Sequence, residues 1–298
     1  MNFLQAIILG IVQGLSEFIP ISSTAHLVFA SRLTHLYENQ PEQLTATIAV
    51  MQLGTLLAVL VYFAGDILSI TAAFVRDHFA LLSKHRRTFS GTHGVRPMWL
   101  SDEAWLGWLI IIGSIPIGVV GLIFKKYIEG EATKNLWVIA TMMIAIALLL
   151  AFAEAVGSKR KEIRDFGIFD ALVVGLAQVL SLIPGASRSG STIMGGLLAG
   201  QKREAAARFS FLLSIPAIAA SGLLELKQAL EGGIPPESWT PLIVGTIVAG
   251  VVGYLSIWFL LAYLKKRSTA VFIVYRIIVG ATIMILLWQG VISPQINS

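Results

Sequence analysis

The chain contains no cysteine, which excludes disulfides, thiol catalysis and cysteine-based metal sites. It is also short of charge. Only 13% of its 298 residues are charged, where a soluble domain carries roughly a quarter, so a water-soluble fold of this size would leave its surface under-charged. No Gly-Lys-Ser/Thr sequence closes a Walker loop, and there is neither a His-Glu-x-x-His zinc motif nor a nucleophile elbow. No acidic or basic tail is present, and no stretch alternates as the strands of an outer-membrane barrel do. The segment Met1–Gly10 lacks a basic n-region, and no small-residue cleavage site follows it, so it is read as mature sequence and not as a signal peptide.

What the chain does have is apolar sequence: 56% of its residues and a mean hydropathy of +0.78. The runs Ala104–Phe124, Leu136–Ala153 and Thr269–Leu287 each approach the roughly 20 residues that a bilayer-spanning helix needs. A polytopic, all-α membrane protein follows. The net charge of +5, from 22 basic and 17 acidic residues, then reflects how charge is shared among loops, not nucleic-acid binding.

Two segments interrupt the apolar pattern. Phe3–Ile19 breaks at Pro20-Ile-Ser-Ser23 and resumes to about Leu33; residues 168–200 break around Pro184. After the first come spans near Leu44–Ile67, Ala104–Phe124 and Asn135–Val156, with Ser69–Asp102 read as a long polar loop. A basic linker, Gly157–Asp165, leads to the second, which is followed by spans at Ala205–Leu226, Thr240–Leu264 and Thr269–Trp288. The breaks resemble each other: Ala6-Ile-Ile-Leu-Gly-Ile-Val-Gln13 lines up with Ala171-Leu-Val-Val-Gly-Leu-Ala-Gln178 at an offset of 165. The matching order predicts a first repeat over 1–156, a second over 166–298, and a hairpin opening each, at about 3–33 and 168–200.

Loop charge selects the topology. If both broken segments are re-entrant hairpins, the repeats are inverted. One side of the membrane then collects 14 basic residues, among them Arg76, Lys84, Arg86, Arg87, Arg96, Lys159 and Lys265. The other side holds four: Arg32, Lys125, Lys126 and Lys134. Full spans would give 9 against 9. The positive-inside rule favours six transmembrane helices plus two re-entrant hairpins, with the 14-residue side in the cytoplasm.

The hairpins carry the polar residues. Gln13 and Glu17 lie one helical turn apart on one face, and Ser22, Ser23 and His26 follow the Pro20 break. An intramembrane carboxylate beside hydroxyls and an imidazole is a candidate catalytic or ion-binding cluster. In the second hairpin, Pro184-Gly-Ala-Ser-Arg-Ser-Gly-Ser-Thr192 offers the hydroxyls of Ser187, Ser189, Ser191 and Thr192, a helix N-terminus, and the guanidinium fork of Arg188. Together these suit a phosphate-like anion. Arg276, Glu154 and Glu225 are expected to be structural, through snorkelling or pairing.

At this point the sequence resembles a known family. Gln13-Gly-Leu-Ser-Glu-Phe-Ile-Pro-Ile-Ser-Ser-Thr-Ala-His26 and Pro184-Gly-Ala-Ser-Arg-Ser-Gly-Ser-Thr192 are similar to the two motifs of the BacA-type undecaprenyl-diphosphatases, the bacitracin-resistance proteins. The likeness runs over essentially the whole chain, including Arg208-Phe-Ser-Phe-Leu-Leu-Ser-Ile-Pro216. Two features depart from the family: Gln at 13, which the pattern allows, and a longer basic loop at 76–102. The resemblance implies hydrolysis of undecaprenyl diphosphate to undecaprenyl phosphate and inorganic phosphate, which recycles the carrier of cell-wall precursors. It also implies a divalent metal, Mg or Ca, in a bacterial plasma membrane; Glu17 is expected to hold that metal, with Gln13 as a neutral oxygen ligand. Glu17, Ser23, His26 and Arg188 are the expected catalytic residues, with Ser23, His26 or water as nucleophile; Ser22, Ser187, Ser189, Ser191 and Thr192 are expected to bind substrate. Transport of a lipid phosphate or small anion is the alternative, because broken helices in inverted repeats also build carriers. Partners are the polyprenyl diphosphate and membrane lipids; a homodimer is left open.

Overall fold

Helices begin where the sequence supplies caps. A computed structural model describes residues 1–34, 36, 41–82, 96–124, 135–228, 230 and 234–295, without the side chains of 41, 42, 82, 225 and 228. Asn2 and Gln5 form a capping box that opens α1 (Phe3–Phe18). Ser101 caps α5 (Asp102–Ile123) and Asn135 caps α6 (Leu136–Val156). Between and after these run α2 (Ser23–Leu33), α3 (Pro41–Tyr62), α4 (Ala64–Leu82), α7 (Ile168–Val179), α8 (Arg188–Leu198), α9 (Arg203–Gln228), α10 (Trp239–Leu264) and α11 (Ala270–Trp288). The described residues form no strand.

Six of these helices are long and apolar enough to cross a membrane: α3, α5, α6, α9, α10 and α11. They are the six expected spans. The helices before the breaks, Phe3–Phe18 and Ile168–Leu182, are shorter. The polar loop expected over Ser69–Asp102 is corrected in its first part, since α4 runs to Leu82. Hydropathy hid it because its polar residues interrupt an amphipathic face. Phe74 packs on Trp108, while Asp77 accepts hydrogen bonds from the backbone N–H and the hydroxyl of Ser101 at 2.8 and 2.6 Å. The expected basic positions Lys84, Arg86, Arg87, Lys125, Lys126 and Lys134, and the side chain of Glu225, lie outside the described residues.

Lipid gives apolar helices little reason to associate, so close packing must hold them. α1 lies along α10, and α7 along α5. A Cβ on Gly10 would stand 2.4 Å from the Gly245 carbonyl oxygen, and one on Gly175 would stand 2.3 Å from that of Gly113. Both are backbone-to-backbone approaches that only glycine permits. α3 packs on α9 and α10, and α6 on α11. A central cluster joins the halves, with Phe18 edge-on to Phe211 at 5.4 Å between ring centroids. Polar ends are tied by ion pairs: Arg203 with Glu154, which also accepts from the Thr269 hydroxyl, and Arg208 with Asp66 at 2.6 Å. Glu154 thus has the structural role expected of it.

Candidate active site between the two breaks

Each break is a proline-containing turn that ends in a strained serine. α1 stops at Phe18, before Pro20, and α2 starts after Ser22; α7 stops at Val179, before Pro184, and α8 starts after Ser187. Ser22 has φ 81° and Ser187 has φ 69°, a left-handed conformation that costs a non-glycine residue about 1 kcal/mol or more. The two serines are 165 residues apart, and α2 and α8 share that offset at both ends. Their surroundings differ. The Ser187 hydroxyl accepts from the Gly190 amide at 3.2 Å, whereas Ser22 makes no side-chain cap and its hydroxyl has no partner among the described residues.

Arg276 holds both breaks in place. Its side chain is 0% exposed and donates to the carbonyl oxygens of Pro20 (3.4 Å), Gly185 (3.0 Å), Ala186 (3.0 Å), Met142 (3.3 Å) and Met143 (3.1 Å). Carbonyls freed by broken helices are costly in a membrane unless something satisfies them; here one guanidinium satisfies both turns and ties them to α6. Arg276 therefore neither snorkels nor pairs with a carboxylate.

The turns meet at an ion pair. Arg188 Nη2 donates to Glu17 Oε1 at 2.5 Å. Gln13 Nε2 donates to Glu17 Oε2 at 3.2 Å, and Gln52 Nε2 reaches Oε1 at 3.4 Å. Gln13 is 1% exposed, and its Oε1 has no partner among the described residues. These groups border a cavity of about 810 Å³. Its polar end is made by Gln13, Glu17, Ser22, Ser23, Ser187 and Arg188; its wall includes Leu27, Ile48, Ile117 and Ile183. A fixed cation and hydroxyls at one end with an apolar chamber beyond them match an anionic head on a hydrocarbon body.

Over this arrangement the sequence matches the family described as Bacitracin resistance protein BacA, at residues 6–282. The chain belongs to that family. It is 46% identical over 293 residues to the undecaprenyl-diphosphatase of Syntrophobacter fumaroxidans, covering 97% of this chain and 98% of that one. The undecaprenyl-diphosphatase of Myxococcus xanthus is 45% identical, over 99% of this chain and 92% of its own. That of Chlorobaculum tepidum is 44% identical, over 99% and 100%.

Four expected site residues lie outside the cavity lining. His26 faces Tyr275: its Nε2 lies 2.7 Å from the tyrosine hydroxyl and its Nδ1 2.7 Å from the Ser22 carbonyl oxygen. With the Nδ1 proton donated to that carbonyl, Nε2 accepts from Tyr275, and the imidazole braces the Ser22–Ser23 turn from behind. The Ser189 hydroxyl lies 3.2 Å from that of Ser187. Thr192 Oγ1 donates to the Arg188 carbonyl at 2.8 Å and lies 2.5 Å from Ser210 Oγ. The Ser191 hydroxyl is buried with no partner among the described residues. Sequence reading missed Gln52 and the five-carbonyl role of Arg276. A lone glutamine inside the apolar run of α3 was the available signal for the first; no sequence signal separates the second from a snorkelling arginine.

Proposed function

We infer that the protein is an undecaprenyl-diphosphatase of the plasma membrane: it hydrolyses undecaprenyl diphosphate to undecaprenyl phosphate and inorganic phosphate, regenerating the lipid carrier of cell-wall precursors and so opposing bacitracin. The observation that carries the reading is the Glu17–Arg188 pair at the polar end of an apolar cavity; the names of the relatives supply the substrate.

In this reading Arg188 and the amides opening α8 hold the terminal phosphoryl oxygens and take up the charge of the transition state. Ser23, first residue of α2 and part of the cavity lining, is the nucleophile. Its Oγ bonds to the terminal phosphorus as the bridging P–O bond breaks, and its proton leaves with undecaprenyl phosphate. Water then displaces Oγ, releasing inorganic phosphate and restoring the serine hydroxyl. His26 positions Ser23 through the Ser22 carbonyl.

A divalent cation suits the donors present. Glu17 supplies one carboxylate and Gln13 Oε1 an unpartnered amide oxygen, and hard cations complete such sets with substrate phosphates and water. Among the described residues no three His, Asp or Glu side chains gather to hold a metal without substrate. When bound, Mg or Ca would neutralise the diphosphate and polarise the leaving oxygen.

The pairing of α1 with α10 and of α7 with α5 supports the inverted-repeat topology, and the charge bias supports a cavity opening to the periplasm or exterior. Thiol labelling of Gln5→Cys from outside intact cells tests the orientation. An enzyme releases inorganic phosphate from a soluble prenyl diphosphate in detergent, whereas a carrier needs a sealed bilayer and makes no product. Phosphate release in detergent supports hydrolysis; movement of intact substrate across vesicles without release supports transport.

A further inference from the structure

The two halves repeat a glycine stripe that they use in opposite ways. In α5 it reads Gly113-Ser-Ile-Pro-Ile-Gly118-Val-Val-Gly121, and in α10 it reads Gly245-Thr-Ile-Val-Ala-Gly250-Val-Val-Gly253. The register is fixed by packing, since Gly113 meets Gly175 of α7 as Gly245 meets Gly10 of α1.

On α10 the stripe is filled by protein. A Cβ on Gly54 of α3 would stand 2.1 Å from the Thr246 carbonyl oxygen. One on Gly250 would stand 3.1 Å from that of Gly54, and one on Gly253 would stand 3.0 Å from Phe18. On α5 the stripe is open beyond Gly113. A Cβ on Gly118 or Gly121 would meet nothing within 4 Å among the described residues. The partner there is α9, which touches α5 at Gly113, where a Cβ would stand 2.9 Å from Leu213 Cδ1.

Beyond that contact each helix of the open pair carries an interior proline, Pro116 in α5 and Pro216 in α9. Such a residue removes a backbone hydrogen bond and bends its helix. The helices of the closed pair, α3 and α10, have no proline beyond their first turns.

The gap is continuous with the site. Ser114, Gly118 and Gly121 of α5 and Ala217, Ala220 and Leu224 of α9 line the same cavity as Glu17 and Arg188, at the three- and four-residue spacing of one helix face. Leu122 and Leu224 also line it and are 80% and 50% exposed, as apolar residues beside an opening to lipid would be. At the polar end, Gln13 Oε1 and Ser22 Oγ are buried, unpartnered and part of that lining.

We propose that the groove between α5 and α9 seats the polyprenyl chain of the substrate, entering from the lipid, and that Gly118 and Gly121 set how long and thick a chain the site accepts. This rests on the reading of the protein as an undecaprenyl-diphosphatase. A flexible isoprenoid needs a smooth wall with no side chain across it, and two glycines one turn apart provide that. The diphosphate then lies at Arg188 while the tail stays in lipid, so the chain need not be extracted from the membrane.

The test compares hydrolysis of undecaprenyl and farnesyl diphosphate by wild type, Gly118→Leu, Gly121→Leu and, as a control on α4 whose Cβ also meets open space, Gly65→Leu. The ratio of kcat/KM for the long substrate to that for the short one should fall about tenfold or more in the first two and hold in the control. An unchanged ratio in folded Gly118→Leu and Gly121→Leu overturns the proposal. If those variants do not fold, Gly121→Cys gives the only thiol in the chain. Undecaprenyl diphosphate should then protect it from a maleimide and inorganic diphosphate should not; equal labelling in both overturns the proposal. Failure of the wild type to release phosphate from either substrate is a different result, and it removes the enzymatic reading itself.

Discussion

Glu17 and Arg188 are 171 residues apart in the chain and 2.5 Å apart in space. One stands at the end of the helix before the first break and the other opens the helix after the second. Their contact ties the first break to the second at the polar end of the cavity.

Breaking this pair leaves a buried charge without a partner, which typically costs 3–5 kcal/mol (order of magnitude). Arg188→Gln and Glu17→Gln should each lower thermal stability and reduce turnover by about a thousandfold. The double variant should recover much of the stability and none of the activity. Thermal unfolding in detergent alongside phosphate release checks this; recovery of activity in the double variant would mean that the pair is only structural.

Arg276→Met should destabilise more than Arg276→Lys. Methionine leaves the turn carbonyls of Pro20, Gly185 and Ala186 without their guanidinium donor, at about 1–3 kcal/mol for each one that stays unsatisfied, while an ammonium can still serve some of them. Both variants should lose activity through misplaced turns. Protease sensitivity near residues 19–22 and 183–187 is the readout, and it should rise in the order wild type, Lys, Met.

The strained serines should respond differently to glycine. Ser22→Gly relieves a left-handed φ and loses no side-chain cap, so its stability should stay within about 0.5 kcal/mol of wild type. Ser187→Gly loses the bond to Gly190 and should be the less stable of the two by about 1 kcal/mol. Equal melting temperatures would show that the Ser187 cap contributes nothing.

Ser23→Ala should abolish turnover while leaving substrate binding intact. Rapid acid quench of wild type with labelled substrate should trap phosphate on Ser23. Label appearing only in free phosphate at every time point would assign the attack to water.

Chelation by EDTA should stop phosphate release, and added Mg or Ca should restore it. Gln13→Glu, which supplies a second carboxylate, should lower the metal concentration needed for half-maximal rate, and Gln13→Ala should raise it. Full activity in EDTA would remove the metal from the account.

Asp77 carries a pH signature outside the spans. Burial pushes its carboxyl up, but hydrogen bonds from Arg76 and Ser101 outweigh this and hold it below the usual carboxylate range. A depressed folded-state pKa means that the stabilisation is complete above the unfolded value and is lost as pH falls through the folded one. Asp77→Asn should therefore be less stable than wild type near neutral pH, and the two should converge in strong acid.

Much of this was legible in the sequence, for physical reasons. Polar residues inside apolar runs are costly, so the two breaks stood out; Ser22 and Ser187, the serines with positive φ at the breaks, lie at the same offset of 165. Helix α4 did not stand out, because an amphipathic helix with Asp66, Arg76 and Asp77 resembles a loop when only hydropathy is read. Arg276 looked like any arginine near a span end; its acceptors are backbone carbonyls, which carry no sequence signature. His26 was an expected catalytic residue and one of three candidate nucleophiles; its Tyr275 partner lies 249 residues away, beyond the reach of local pattern. The two glycine stripes are visible as text, but which one is filled depends on α3 and α9, and only the fold shows that.

The most direct test of the central claim, that a diphosphate is cleaved between the two breaks, is inorganic phosphate release from undecaprenyl diphosphate by purified wild type and Arg188→Ala in detergent with Mg. The wild type should release one phosphate per substrate with undecaprenyl phosphate as the lipid product, and the folded variant should lose about a thousandfold. Near wild-type release by Arg188→Ala would contradict the claim.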